Sequence, residues 1–221
     1  MSAEAVSVVI ATGHGVVAEV VRRACEGEPG LRIVAEVRDR AALREACGSL
    51  HPDVLVLDEL LEDGGPDLDS LRGLREEGVA IAAVVLSDRG DGAAVLQALR
   101  LGARGFVRKS AGLTAVGAAV RTVADGGRAV DPSSEQAAVV ALGRLAQQAR
   151  EGSEVEAALT PREHEILTLV SRGLTTRQIG GRLGISPRTV ETHVSKLYRK
   201  LGVRTRVQAV ARAAQLGLIE L

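Results

Sequence analysis

The stretch from Leu159 to Ile219 begins helix after helix with the same chemistry, and that repetition constrains its fold more than any other feature. Thr160-Pro161-Arg162-Glu163 reads as an N-cap, a proline at the first helical position, and a glutamate that returns to the N-cap amide. Thr175-Thr176-Arg177-Gln178 and Thr205-Arg206-Val207-Gln208 repeat the capping box, and Ser186-Pro187 supplies another start. Four starts in so short a run leave only tight turns between helices, so residues 158–221 are predicted to form a compact all-α four-helix module. Leu183-Gly184-Ile185-Ser186 joins its second and third helices through the glycine that such turns favour.

Charge separates this module from the rest. Ala158–Leu221 carries 11 Arg and Lys against 4 Asp and Glu, a balance of +7. Because the whole chain holds 28 of each sign, residues 1–157 carry −7. A basic module draws phosphates with a salt-sensitive, sequence-independent attraction, and the acidic remainder should stay off DNA. In the helix Pro187–Leu201, the apolar residues Val190, Val194, Leu197 and Leu201 recur at three- and four-residue spacing and face a core. Its other face presents Arg188, Thr189, Glu191, Thr192, Ser195, Lys196, Arg199 and Lys200. Aromatic residues are confined to Phe106 and Tyr198, so base stacking on single strands is not the expected binding mode.

The run LTPREHEILTLVSRGLTTRQIGGRLGISPRTVETHVSKLYRKLGVRTRVQAVARAAQLGLI resembles the LuxR/FixJ-type helix-turn-helix at the C-terminus of NarL-like response regulators. The resemblance implies that the helix from Pro187 lies in the major groove, with Glu191, Thr192 and Ser195 at base-reading positions. It sets Arg188, Thr189, Lys196, Arg199 and Lys200, with Arg177 from the preceding helix, against phosphates. Two readings fit Glu191: it accepts from a cytosine amino group, or it pairs with Arg188 or Lys196 on a solvated face. His193 reads as a packed, hydrogen-bonded histidine, since no cysteine or second histidine stands at ligand spacing. On the helix Arg206–Leu216, the resemblance implies that Val207, Val210, Ala211 and Ala214 pair two copies of the chain, a core role being the alternative.

The N-terminal half alternates apolar runs with helical periods. The runs are Val6–Ala11, Leu31–Val37, Val54–Asp58, Ala80–Leu86 and Gly105–Arg108. Between them lie Gly15–Cys25, Ala41–Leu50, Asp67–Glu77, Asp91–Leu101 and Leu113–Asp125. Short Val- and Ile-rich strands alternating with helices predict an α/β, flavodoxin-like domain, a five-stranded parallel sheet whose site lies at the carboxyl ends of its strands. Those ends carry Asp58, Ser87 and Lys109. With Phe106 and the run ALRLGARGFVRKSAG, they resemble the phosphoacceptor, switch hydroxyl, switch aromatic and lysine of a receiver domain.

One departure from that pattern is informative. Receivers end their first strand with two adjacent carboxylates that hold Mg²⁺, and at the matching place this chain has Thr12 and Gly13. Magnesium needs octahedral oxygen ligands usually anchored by carboxylates, so its binding is expected to be weak or absent, with no other metal or cofactor implied. Glu59, Glu62 and Asp63 are either replacement ligands or solvated loop acids, and His14 either tunes the cluster or is a loop residue. Without the ion, Asp58 and Lys109 are free to pair directly.

The expected organisation is an atypical receiver at 1–127, a linker helix and flexible linker at 128–157, and the DNA-binding module at 158–221. Ser133 or Ser134 should cap a helix reaching about Arg150, with Ala138, Leu142, Leu145 and Ala149 along one stripe, followed by a polar linker EGSEVEA. That helix is either a dimer seam or packed on the receiver. Cys25 and Cys47 read as buried thiols, a redox pair being the alternative. No apolar stretch reaches spanning length and no basic-then-apolar leader is present, so a cytoplasmic protein without membrane contact is expected. The expected function is a dimeric regulator on inverted-repeat promoter DNA, controlled by a partner, a ligand or its own abundance. Its partner would be a second copy or a related response regulator. The alternatives are a conventional phosphorylated regulator and a protein that sequesters a related regulator. Nothing resembles a nucleophile–base pair, so no enzyme is expected.

Overall fold

The computed structural model describes residues 5–59, 61 and 68–220. The chain divides into two compact units, residues 1–141 and 142–221. In the first, Val6–Ala11 (β1), Leu31–Val37 (β2), Val54–Asp58 (β3), Ala82–Ser87 (β4), Gly105–Arg108 (β5) and Ala129–Val130 (β6) form one parallel sheet in the order β2-β1-β3-β4-β5-β6. Gly15–Glu26 (α1), Arg40–Leu50 (α2), Leu68–Glu76 (α3), Gly92–Arg100 (α4) and Leu113–Ala124 (α5) alternate with the strands. β3, VLVLD, is buried along its whole length, as a strand covered on both faces must be.

Side-chain alternation divides the core into two layers. Leu55 and Leu57 join Val9, Ala11 and Phe106 in the layer beneath α2, α3 and α4, whereas Val54 and Val56 join Val8 and Ile10 beneath α1 and α5. A one-residue slip would exchange the layers, so the register is fixed by burial on both sides. The two cysteines belong to opposite layers, Cys47 to the first and Cys25 to the second, which removes the redox pair. Burial pushes each thiol up to about 11.

Three expectations need correction. Among the described residues the sheet has six strands, not five: β6 pairs with β5 through Gly105↔Ala129 and Phe106↔Val130. Two residues are too few to show a period. β4 starts at Ala82 and not at Ala80, because the Val79 amide bonds back to the Leu74 carbonyl and ties this stretch to the end of α3. The third correction is the linker. A helix, α6, runs without interruption from Pro132 to Ala158, so residues 151–157 are its last turns and not a flexible segment.

Asp131, and neither serine, caps that helix. Its carboxylate accepts from the Ser134 amide at 3.1 Å and from the hydroxyls of Ser133 and Ser134, both at 2.6 Å. Burial alone would raise its pKa, but these bonds hold it down at about 2. Ala138 is buried in the layer with Phe106, while Leu142 and Leu145 stand exposed. At the other end of α6, a side chain on Gly152 would collide with the Leu216 carbonyl oxygen. Arg212 and Glu151 pair at 2.9 Å beside it.

The second unit contains Pro161–Ser171 (α7), Thr176–Leu183 (α8), Pro187–Leu201 (α9) and Arg206–Gln215 (α10). Thr160, Thr175 and Thr205 each form a reciprocal capping box, and Ser186 accepts from the Thr189 amide. Ile166, Leu167, Ile179, Val190, Leu197, Ala209 and Ala213 are its most buried apolar residues. Glu163 does more than cap. It is 2% exposed and its carboxylate also takes the Lys200 ammonium at 2.6 Å, fastening α9 to the start of α7. Burial would raise its pKa, but the bonds from Lys200 and Thr160 hold it at about 2.

Two predictions follow from these contacts. Gly152→Ala should cost the second unit about 1–3 kcal/mol through the collision with Leu216. Gly143→Ala, where nothing lies within 4 Å, should gain about 0.5–1 kcal/mol of helix stability. Thermal unfolding of both variants checks the pair, and equal effects would mean that the end of α6 is not docked. Because the Glu163 carboxyl is depressed, its contribution is complete above its ordinary value near 4.5 and lost as pH falls through about 2. Denaturant titrations should show Glu163→Gln about 2 kcal/mol less stable at pH 7, with a weaker pH dependence in that acid window.

Candidate functional site

Because β1, β3, β4 and β5 are neighbours in a parallel sheet, their carboxyl ends bring their last side chains together. Asp58 sits at the centre, 1% exposed. Lys109, on the turn after β5, pairs with its Oδ1 at 2.8 Å. The Thr12 hydroxyl, at the end of β1, donates to its Oδ2 at 2.7 Å. His14 Nδ1 comes within 3.3 Å of the same oxygen, which brings a half-exposed ring into the cluster rather than leaving it in a detached loop. Lys109 also reaches Asp88 at 3.1 Å. Burial would lower the Lys109 pKa, but hydrogen bonds and charge from Asp58 and Asp88 outweigh it and raise the value.

Gly13 follows Thr12 directly and brings no side chain to this group. The Ser87 hydroxyl is held on the other side. It donates to the Glu59 carboxylate, which is therefore turned to Ser87, and it accepts from the Arg89 amide at 2.9 Å. Phe106 is 1% exposed and belongs to the core layer. Glu62 and Asp63 lie outside the described residues. Asp88 is the participant that sequence reasoning missed; its place immediately after the strand-end Ser87 was the available signal.

The second surface is the outer face of α9. Val190, Leu197 and Leu201 are buried, while Arg188, Thr189, Glu191, Thr192, Ser195, Lys196 and Arg199 are exposed, as is Arg177 on α8. The Thr189 hydroxyl shares a hydrogen bond with Ser186, and that of Thr192 donates to the Arg188 carbonyl. Lys200 departs from the expected phosphate-facing set: its ammonium is committed to Glu163 and to the Ala158 carbonyl. Arg206, which the sequence presented only as a capping-box neighbour, donates to the carbonyls of Val170 and Leu174 and closes the end of α7. His193 is half-buried, and the described residues contain no cluster of three metal-ligating side chains. On α10 the core takes Ala209 and Ala213. Val207 stays 79% exposed and Ala211 exposed, with Val210 and Ala214 half-buried beside them. No described helix is long and apolar enough to cross a membrane.

Two family matches cover these units. Residues 8–121 match the response regulator receiver domain, and residues 157–213 match the bacterial regulatory proteins of the luxR family. The chain is 33% identical over 221 residues to the probable transcriptional regulatory protein NarL of Mycobacterium tuberculosis, covering 98% of this chain and 97% of that one. It is 32% identical over 204 residues to the nitrate/nitrite response regulator protein NarP of Escherichia coli, covering 91% of each. Its fold is similar to that of the RcsB response regulator of Salmonella typhimurium, with a TM-score of 0.60 at 20% identity over 96% of this chain and 99% of that one. A receiver fold joined to a capped helix-turn-helix, matched along its whole length, places the chain in the LuxR family of response regulators, which are DNA-binding transcriptional regulators and not enzymes.

Proposed function

We propose that this regulator binds inverted-repeat promoter sites as a dimer and is controlled without conventional aspartyl phosphorylation. The observation that carries the second part is the Asp58 carboxylate. One oxygen is paired with Lys109 and the other accepts from Thr12, with His14 close by. A phosphoryl group on Asp58 would have to break the buried pair that its carboxylate makes with Lys109. Among the described residues the donor set also does not fit a magnesium ion. The end of β1 contributes a hydroxyl and a glycine in place of carboxylates, Asp58 is committed to Lys109, and Glu59 is turned to Ser87. Phosphoryl transfer without a charge-neutralising ion has no support here. Control then falls to a partner regulator, a small ligand at the strand ends, or protein abundance. The conventional reading keeps one observation in its favour: Asp58, Ser87 and Lys109 all stand at the strand ends.

The dimer is supported by α10, where Val207 and Ala211 remain outside the core. Small residues on such a face let a second helix approach closely, and a homodimer or a heterodimer with a related regulator would use it. Phosphate contacts are assigned to Arg177, Arg188, Lys196 and Arg199, four of the exposed cations on α8 and α9. Lys200 is excluded because Glu163 holds it.

Acetyl phosphate with Mg²⁺ should leave Asp58 unlabelled, and chromatin occupancy of Asp58→Asn at matched protein level should reproduce the wild-type peaks. Stoichiometric labelling together with lost peaks would restore the conventional switch. No peaks in either strain would favour sequestration of a related regulator. Four such phosphate contacts per protomer give eight per dimer, so the logarithm of affinity should fall with that of salt at a slope of about −7. Arg188→Ala should flatten that slope by about 2 per dimer. Lys200→Ala should leave it unchanged while lowering the melting temperature.

A further inference from the structure

We infer that Glu191 is a specificity-determining residue that selects a C·G base pair in each half-site, an inference that rests on the duplex-binding reading above. Glu191 lies in the N-terminal half of α9, the second helix of the helix-turn-helix, where such helices meet base edges in the major groove. It is exposed, between Arg188 one turn before it and Ser195 one turn after. The solvated-face alternative required an ion pair with Arg188 or Lys196. Among the described residues no salt bridge or side-chain hydrogen bond joins Glu191 to either, although other carboxylates of the same unit find cations: Glu165 with Arg162, Glu163 with Lys200, and Glu151 with Arg212. An uncompensated carboxylate therefore stands in the middle of the exposed face that carries Arg188, Lys196 and Arg199.

A carboxylate in that place weakens contact with any polyanion, so it must be offset where the correct sequence is met. It is acceptor-only when ionised, and the four bases offer it unequal edges. Guanine presents two acceptors, N7 and O6, and thymine presents the O4 acceptor and a methyl group. Adenine sets its amino donor beside the N7 acceptor. Cytosine alone presents a donor, the N4 amino group, with no acceptor of its own beside it. Repulsion thus acts against guanine and thymine, the N7 acceptor of adenine opposes its own donor, and only cytosine attracts without opposition. Selectivity arises from rejection as much as from the bond. Thr192 and Ser195, exposed beside Glu191, both donate and accept and impose no such restriction.

The test is selection from a random duplex pool with the full-length chain as wild type, Glu191→Ala and Glu191→Gln. Each variant's melting curve is recorded to show that it remains folded. The wild type should enrich an inverted repeat with C·G fixed at one position of each half-site. Replacing that pair by T·A, which has no donor at O4, should cost the wild type about tenfold in affinity per half-site. Glu191→Ala should bind both duplexes within about twofold of each other and hold non-specific duplex more tightly than wild type, since a repelling charge is gone. Glu191→Gln, able to donate and accept, should shift the preference at that position toward adenine. Failure of the wild type to enrich any duplex would overturn the promoter-binding reading itself. Enrichment of one motif with identical base preferences by all three proteins would overturn the Glu191 inference alone.

Discussion

A parallel sheet covered on both faces by helices has no surface on which to carry polar chemistry except the ends of its strands. That constraint organises the first unit. Every residue of β3 is buried, and alternate residues serve the two layers, so only Asp58 at its end can be a carboxylate. Even there, a charged group 1% exposed must be paired, and Lys109 at 2.8 Å supplies the partner. The sheet order puts β5 beyond β4, yet the lysine reaches Asp58 because it sits past the strand end on a turn and its stem is long. Thr12 then satisfies the second oxygen with a hydroxyl, where an acid would have added repulsion that only a cation relieves. Thr12, Asp58 and Lys109 form one connected network, which Asp88 extends toward solvent.

The second unit depends on a different economy, that of orphan amides at helix starts. Three reciprocal capping boxes and a serine cap satisfy donors that packing would otherwise leave bare in a unit too small to waste them. Glu163 joins this local chemistry to tertiary structure by taking Lys200 from the far end of α9. The orientation of α9 is thereby tied to the cap of α7. The same carboxylate that starts one helix sets the pose of the helix whose outer face meets solvent.

Much of this was legible because burial imposes period. The limits of β1, β2, β3 and β5 follow from apolar runs, and the four helix starts of the second unit follow from capping residues alone. What escaped was structure held by contacts distant in sequence. β6 is two residues long and exists only because β5 offers an edge. The polar stretch after Arg150 reads as linker, yet Gly152 lets it lie against the Leu216 carbonyl and Arg212 anchors Glu151, so it stays helical. At the strand ends Asp58, Ser87 and Lys109 were readable, but the partition of partners was not. That Lys109 divides itself between Asp58 and Asp88, and that Ser87 takes Glu59, depends on side-chain reach across strands.

The basic balance of the second unit must be read in the same light. Its excess of cations suggests a surface built for phosphates, yet Arg162, Lys200, Arg206 and Arg212 are all engaged by carbonyls or carboxylates of their own fold. Each of them holds a helix end or a helix pair, so a phosphate would compete with these contacts. The charge that remains for a duplex is therefore smaller than composition implies and is concentrated on α8 and α9. A smaller electrostatic share lowers affinity for arbitrary sequence and leaves a larger fraction of binding to groups that distinguish bases.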